Sequence, residues 1–297
     1  MLSAVSLLGE RRRVRVNYRI LVAMFTLSAI AVGGLWWATE PPEPVSHVSI
    51  KTLNANAERG ASVFHIGGCA SCHQPVDFEQ KDGEIPPLSG GRRFETDFGI
   101  FIAPNISTHA ETGIGRWSVQ DFATAMLQGV SPDGKHYYPA FPYASYTRMT
   151  LQDVVDLKAF MDQLPAVRRE NDPHELGFPF SIRRFVGIWK RLHLDNKPQV
   201  QIQEATEEQL RGQYLVEGPG HCGECHTPRT LSGGMIRSRW LSGAPNPDGD
   251  GDIPNITSHV DGIHEWELVD ISEYLSSGFK PDFDVVGSSM ADVVENT

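Results

Sequence analysis

Cys69-Ala-Ser-Cys72-His73 and Cys222-Gly-Glu-Cys225-His226 are the two stretches on which the reading of this chain turns. Each is a C-x-x-C-H string, the attachment pattern of a c-type haem. The spacing has a chemical cause. Two thiols separated by two residues add across the two vinyl groups of one porphyrin, and the histidine that follows is placed beneath the ring as an iron ligand. The chain holds four cysteines and the strings use all of them, so none is left for a disulfide. A thioredoxin-like C-x-x-C pair sits in a βαβ context, which is missing here. A four-cysteine zinc site would join halves about 150 residues apart and leave both histidines without a role. The cofactor implied is two covalently bound haem groups with their iron.

The surroundings of the strings repeat. Arg59-Gly60 precedes the first and Arg211-Gly212 the second. Leu88-Ser89-Gly90 and Pro104-Asn105-Ile106-Ser107 follow the first; Leu241-Ser242-Gly243 and Pro254-Asn255-Ile256-Thr257 follow the second. Ile114-x-x-Trp117 matches Ile263-x-x-Trp266, and Gly129 and Gly278 each stand twelve residues past their tryptophan. The same landmarks in the same order read as two copies of one haem domain. A length of 297 residues leaves room for two or three domains, and a haem supplies much of the core that so small a domain otherwise lacks.

Formal charge is −11. Five arginines (Arg11, Arg12, Arg13, Arg15 and Arg19) against Glu10 put +4 on residues 1–39, so the remainder carries −15. So acidic a body argues against nucleic acid and suits docking to basic patches on partner proteins. Residues 20–37 contain no charge. As a helix they would span about 27 Å at 1.5 Å per residue, close to the bilayer core. Arginines on the N-terminal side keep that side cytoplasmic, and Trp36 and Trp37 stand where an interfacial anchor would. A retained anchor is the reading adopted; a cleaved signal peptide ending near Ala29-Ile30-Ala31 is the other. Either way the haem domains lie outside the cytoplasm, in a bacterial periplasm. Glu40-Pro41-Pro42-Glu43-Pro44 breaks the helix and starts a stiff linker.

The expected organisation is a basic cytoplasmic segment at 1–19, the transmembrane anchor at 20–37, a linker at 38–53, a first haem domain at 54–164, a connecting strap at 165–204 and a second haem domain at 205–297. A short helix is expected at 54–66 and another from Ser118 to Gly129. Thr150-x-x-Asp153 and Thr206-x-x-Gln209 read as capping boxes that open further helices. The strap holds Phe178, Phe180, Ile182, Phe185, Ile188 and Trp189 among basic residues, so it should wrap a domain surface and fix the distance between haems. The second copy stops seven residues past Met290, without the last helix of the first copy. Asp248, Asp250 and Asp252 lack the full calcium-loop pattern and read as a turn.

These features resemble the multihaem cytochrome c subunits of bacterial membrane-bound dehydrogenases for alcohols, gluconate and related sugars. The haem strings, the Pro-Asn-Ile segments, residues 138–143 and the run from Gly278 to Met290 carry the resemblance, which covers 55–164 and 205–297. It implies a mostly α fold, a tandem duplication of class I cytochrome c-like domains behind the anchor. It also implies His73 and His226 as proximal iron ligands and Met290 as a distal one. Met290 stands twelve residues past Gly278, and the matching place in the first copy is Phe141, which cannot ligate iron. Three readings follow for the first haem: Met149 reaches the iron, His136 does, or the position is open with Phe141 as its cap. Met149 is the reading adopted, though it also stands before the cap residue Thr150, where an apolar side chain staples to the first turn.

By resemblance the chain is a membrane-tethered subunit that passes single electrons from a periplasmic dehydrogenase to a quinone or a terminal oxidase, and is not itself an enzyme. A dihaem subunit of a haem–copper oxidase is one rival. Another is a dihaem peroxidase or thiosulfate-oxidising cytochrome reacting at haem 1. If Met149 ligates, the holo-protein should show two thioether-to-iron absorption bands per two haems; a single band, lost in Met290→Ala, would remove Met149 from the iron.

Overall fold

The computed structural model describes residues 18–78, 85–246, 249, 251–287 and 289–296. Arg11, Arg12, Arg13 and Arg15, and the Asp248 and Asp250 of the acidic turn, lie outside the described residues. The first helix, α1 (Tyr18–Ala38), is long and apolar enough to cross a membrane, and the chain buries none of its residues. It ends at Thr39, whose hydroxyl donates to the Leu35 carbonyl at 2.8 Å, and the prolines that follow cannot continue it. The helix belongs to a unit that ends at Glu40; the rest of the chain is a second compact unit.

That second unit is mostly helical. After the short α2 (His47–Lys51), Asn56 accepts the Arg59 N–H and so starts α3 (Ala57–Ile66). The first haem string is itself a turn of helix, α4 (Cys69–His73). Strands β1 (Arg93–Thr96) and β2 (Gly99–Ile102) form an antiparallel hairpin, with Arg93 opposite Ile102 and Thr96 opposite Gly99. Ser118 and Asp121 form a full capping box for α5 (Val119–Gln128), which stops where Gly129 turns left-handed at φ 62°. A four-residue helix, α6 (Tyr143–Tyr146), precedes α7 (Leu151–Met161), where the Thr150 hydroxyl accepts the Asp153 N–H; the return bond of the expected capping box is absent, since the Thr150 N–H goes to Tyr214 instead.

The core of this half forms where α7 crosses α3. Phe64, Leu88, Ile114, Phe122, Val154 and Leu157 join one buried cluster with Ala70 of the haem string. The two helices approach closely enough that a Cβ on Gly60 would lie 2.0 Å from the Asp156 carbonyl oxygen. Asp156 is fully buried and binds Arg59 Nε at 2.7 Å.

Residues 165–204 leave α7 and run along this half before reaching the next. Glu175–Leu176, β3, adds to the free edge of β2, and Glu175 pairs with Arg93 at 2.8 Å. In α8 (Val186–His193), Trp189 Nε1 donates to the Ser232 carbonyl and His193 Nε2 lies 2.9 Å from Ser232 Oγ, so the strap touches both halves.

The second half opens on α9 (Glu207–Glu217), started by the Thr206–Gln209 capping box. It continues through α10 (Gly223–His226), the β4 (Ala244–Pro245) and β5 (Asp252–Ile253) ladder, α11 (Leu268–Ser277) and α12 (Ser289–Asn296). Its backbone hydrogen bonds repeat those of the first half. Gly90 N–H to His73 carbonyl is matched by Gly243 to His226, Ile106 to Leu88 by Ile256 to Leu241, and Tyr137 to Gly129 by Val286 to Gly278. The halves differ at their ends. No counterpart of α7 covers α9 among the described residues: nothing lies within 4 Å of a Cβ on Gly212, the match of Gly60. The terminal α12 packs instead on α4 of the first half.

Matched glycines should therefore respond with opposite signs. Gly60→Ala should destabilise the haem-loaded protein by about 3 kcal/mol through overpacking, whereas Gly212→Ala should stabilise it by up to about 1 kcal/mol through helix propensity. Denaturant unfolding of both variants beside the parent reads the two signs.

Candidate functional site

In both halves the histidine of the string is oriented by the same partner. His73 Nδ1 lies 2.8 Å from the Pro104 carbonyl oxygen, and His226 Nδ1 lies 2.8 Å from that of Pro254. A carbonyl can only accept, so each Nδ1 carries the proton and each Nε2 keeps its lone pair for a metal. Burial pulls both imidazole pKa values down, against the pull of the carbonyl bond, and so favours the neutral, ligating form. The two prolines belong to the repeated Pro-Asn-Ile segments. Those segments hold their own shape. Asn105 Oδ1 accepts the Ser107 N–H at 2.9 Å and Asn255 Oδ1 the Thr257 N–H at 2.8 Å, and each asparagine thus turns the chain that presents the carbonyl.

All four cysteines are free of disulfides. Burial pushes the Cys69 thiol up to about 12 and the Cys72 thiol up to about 11. Cys72 feels Arg92, which lowers it, and Cys225 and Asp292, which raise it, so the second string stands near the first. No group of three or more His, Cys, Asp or Glu side chains that could hold a metal ion occurs among the described residues. The donor set therefore fits a porphyrin joined through thioethers, with one oriented imidazole per ring. Bound there, haem iron takes up and gives back a single electron; the chain's part is to orient the imidazole and shield the site.

The candidates for the sixth position are placed differently. Phe141 is half-buried in an aromatic group, 5.7 Å from the Tyr137 ring, 6.1 Å from Tyr143 and 5.8 Å from Tyr146. Met149 is buried in the core cluster with Phe64 and Ala70, and its N–H bonds the Tyr146 carbonyl. His136 is buried too, bridged to Val130 across the turn that follows α5. Met290 is the second residue of α12 and is half-buried.

Lys190 was legible only as one of the basic residues of the strap. It is buried, donates to the Gln128 and Gly129 carbonyls at 2.6 and 2.7 Å, and stands 4.6 Å from the Tyr143 ring centre. It thus satisfies the C-terminal carbonyls of α5 and ties α8 to the distal side of the first half. Burial lowers its ammonium pKa to about 7.

Two oriented imidazoles, each beside a thiol pair on its own helical turn, define a c-type cytochrome. The cytochrome c family model matches residues 57–165. A diheme cytochrome c-type protein of Cereibacter sphaeroides is 49% identical over 279 residues, 94% of this chain and 92% of that one. The fructose dehydrogenase cytochrome subunit of Gluconobacter japonicus is 32% identical across 94% of this chain. A quinone-dependent alcohol dehydrogenase cytochrome c subunit of Gluconobacter oxydans is also 32% identical, across 80%. This chain spans 56% and 50% of the lengths of those two subunits. The chain belongs to the dihaem c-type cytochromes. Its cofactors are two covalently bound haem c groups, and its activity is electron transfer.

A lysine whose folded pKa lies below its unfolded one makes the unfolded chain the better proton binder, so stability rises with pH between the two values. For Lys190 that window runs from about 7 to the usual 10.5. A neutral amine still has two N–H donors for its two carbonyls. The parent protein should therefore gain stability over Lys190→Met between pH 6.5 and pH 9, read from denaturant midpoints at both pH values.

Proposed function

We propose that this chain is the electron-transfer subunit of a dehydrogenase complex, built from two copies of one haem domain and tethered to a membrane by α1. Haem 1 is attached through Cys69 and Cys72 and haem 2 through Cys222 and Cys225, with His73 and His226 as proximal ligands. Met290 is the sixth ligand of haem 2, and Met149 the candidate for haem 1. The chain takes single electrons from a periplasmic dehydrogenase and passes them to a quinone or an oxidase.

The observation that carries this reading is the identical 2.8 Å bond from histidine Nδ1 to the Pro-Asn-Ile carbonyl in both halves. Such a bond fixes the tautomer and raises the basicity of an iron-ligating imidazole. The recurring backbone bonds around each string support the duplication. The dehydrogenase partner rests on relatives named as cytochrome subunits of fructose, alcohol and gluconate dehydrogenases. The periplasmic side rests on the apolar α1 and on the arginines ahead of it.

One specific observation keeps a second reading. Phe141, at the place matching Met290, offers iron no ligand, and an open haem 1 would make the protein a redox enzyme reacting there. Optical and electron paramagnetic resonance spectra of the holo-protein, with and without carbon monoxide, separate the two. Two low-spin haems that do not bind carbon monoxide are the expected result. One high-spin haem that binds it readily would overturn electron transfer as the sole role and favour the enzyme.

A further inference from the structure

α12 belongs by sequence to the second half, yet it is held by the first. Ser71 Oγ, within the haem 1 string, donates to the Asp292 carbonyl at 3.0 Å. Arg92 Nη1 lies 2.7 Å from both the Ser71 carbonyl oxygen and Asp292 Oδ2. One turn on, the Asn296 carbonyl oxygen is 3.4 Å from His65 Nδ1. An eight-residue helix does not hold its shape alone, so these contacts set where α12 lies. Met290 is two residues from Asp292.

The opposite contact also exists. Ser145 of α6, fully buried, donates to Glu224 Oε1 in the haem 2 string at 2.8 Å. Tyr146 meets His221 edge to face at 5.6 Å between ring centres, and His221 Nε2 is 3.2 Å from the Gly67 carbonyl oxygen. Ser71 and Glu224 hold the same position, the residue before the second cysteine of each string. α6 and α12 also match: one follows Phe141, and the other carries Met290. Each string is thus held at one position by the distal segment of the other half.

We propose that Arg92, Ser71 and Asp292 form a clasp of positioning residues, through which the attachment helix of haem 1 holds Met290 at the iron of haem 2. The ligation of haem 2 then depends on the integrity of the first half. This inference rests on the assignment of Met290 made above. The exchange is reciprocal in position but not in chemistry: the first string is held through the Ser71 hydroxyl and through Arg92, which bonds both the Ser71 carbonyl and the Asp292 carboxylate, and the second through a hydroxyl on the Glu224 carboxylate, with the ring contact at the neighbouring His221.

The test uses the full haem-loaded chain carrying Asp292→Ala, Arg92→Ala or both, with Met290→Ala as the reference for the thioether-to-iron band. Each single variant should retain two haems, lose most of the band that Met290→Ala abolishes, and show a lowered midpoint potential for haem 2. The double variant should go no further than the worse single, because both changes remove one contact. Amide exchange in α12 should quicken in step. Should an alanine variant fail to load haem, the near-isosteric Asp292→Asn takes its place. Parental band and potentials in both single variants, or effects that add in the double, would overturn the clasp. If Met290→Ala leaves the band intact, the ligand assignment has failed. The proposal then falls with it in its ligand-holding part, and α12 exchange judges the contact alone: quickening in both singles without addition in the double shows that the haem 1 string still positions α12, and parental exchange overturns that too.

Discussion

Asp156 has no exposure to solvent, and a carboxylate survives there because its oxygens are used several times over. It accepts the Asn56 N–H at 2.7 Å, Arg59 Nε at 2.7 Å, Arg59 Nη2 at 3.0 Å and Gln152 Nε2 at 2.9 Å. Three of these come from the start of α3 and its approach. The carboxylate of α7 therefore fixes the direction in which α3 sets out. Ten residues later that direction decides where Cys69 and the rest of the string emerge. Apolar burial between α3 and α7 supplies the free energy of the crossing, but burial alone tolerates sliding and rotation. The ion pair, half-exposed on the arginine side and buried on the aspartate side, is a device for register more than for stability.

The second half carries the same Arg-Gly pair in α9 without that partner. Arg211 lies over the Tyr214 ring instead, 5.1 Å from its centre. Different groups constrain α9. Glu217, buried at its C-terminal end, accepts the N–H groups of Gln199 and Val200 at 2.8 and 3.2 Å, so the tail of the strap lies along the helix. Tyr214 reaches across to α7, bonding the Asp153 carboxylate and the Thr150 N–H. Past Val186 no aliphatic or aromatic side chain of the described residues is buried, and prolines such as the fully buried Pro219 are what this half packs inside. A domain with so little packed core draws its order from a covalently attached porphyrin and from its neighbour. The second half thus has the same local machinery that presents a histidine, with different support around it.

Local machinery was what the sequence made legible. The Pro-Asn-Ile landmarks, the capping boxes at Ser118 and Thr206 and the stop at Gly129 depend on neighbours within a few residues, and each forms as its pattern predicts; the box expected at Thr150 forms only by half, because Tyr214 takes both the Thr150 N–H and the Asp153 carboxylate. Contacts between distant segments were not legible. A lysine at 190 carries no mark that it will be buried at the end of α5, and an aspartate at 292 none that it will meet Arg92. The expectation for the end of the chain shows the same divide. That a segment matching the one around Phe141 follows Gly278 was readable. That it carries a helix lodged on the other half was not, because the partner surface lies about 200 residues away. The Pro104 and Pro254 carbonyls fall between. Repetition flagged their segments, but a backbone oxygen has no side-chain signature to name it as the histidine's partner.

Electron transfer between two sites in one chain demands a fixed separation and tolerates little drift. The contacts between the halves answer that demand by being directional. Ser145 to Glu224 and His221 to the Gly67 carbonyl join the halves directly, and Arg148 to the Asp195 and Lys197 carbonyls and Trp189 to the Ser232 carbonyl join each half to the strap; all are hydrogen bonds with preferred angles. Apolar faces of the same area would bind at least as tightly, but would permit a family of relative orientations. Polar contacts bring a cost, since each unmet donor or acceptor in the seam is penalised. That cost also disfavours every misaligned arrangement. The seam is therefore specific, and the strap, hydrogen-bonded to both halves, adds its own directional contacts to it.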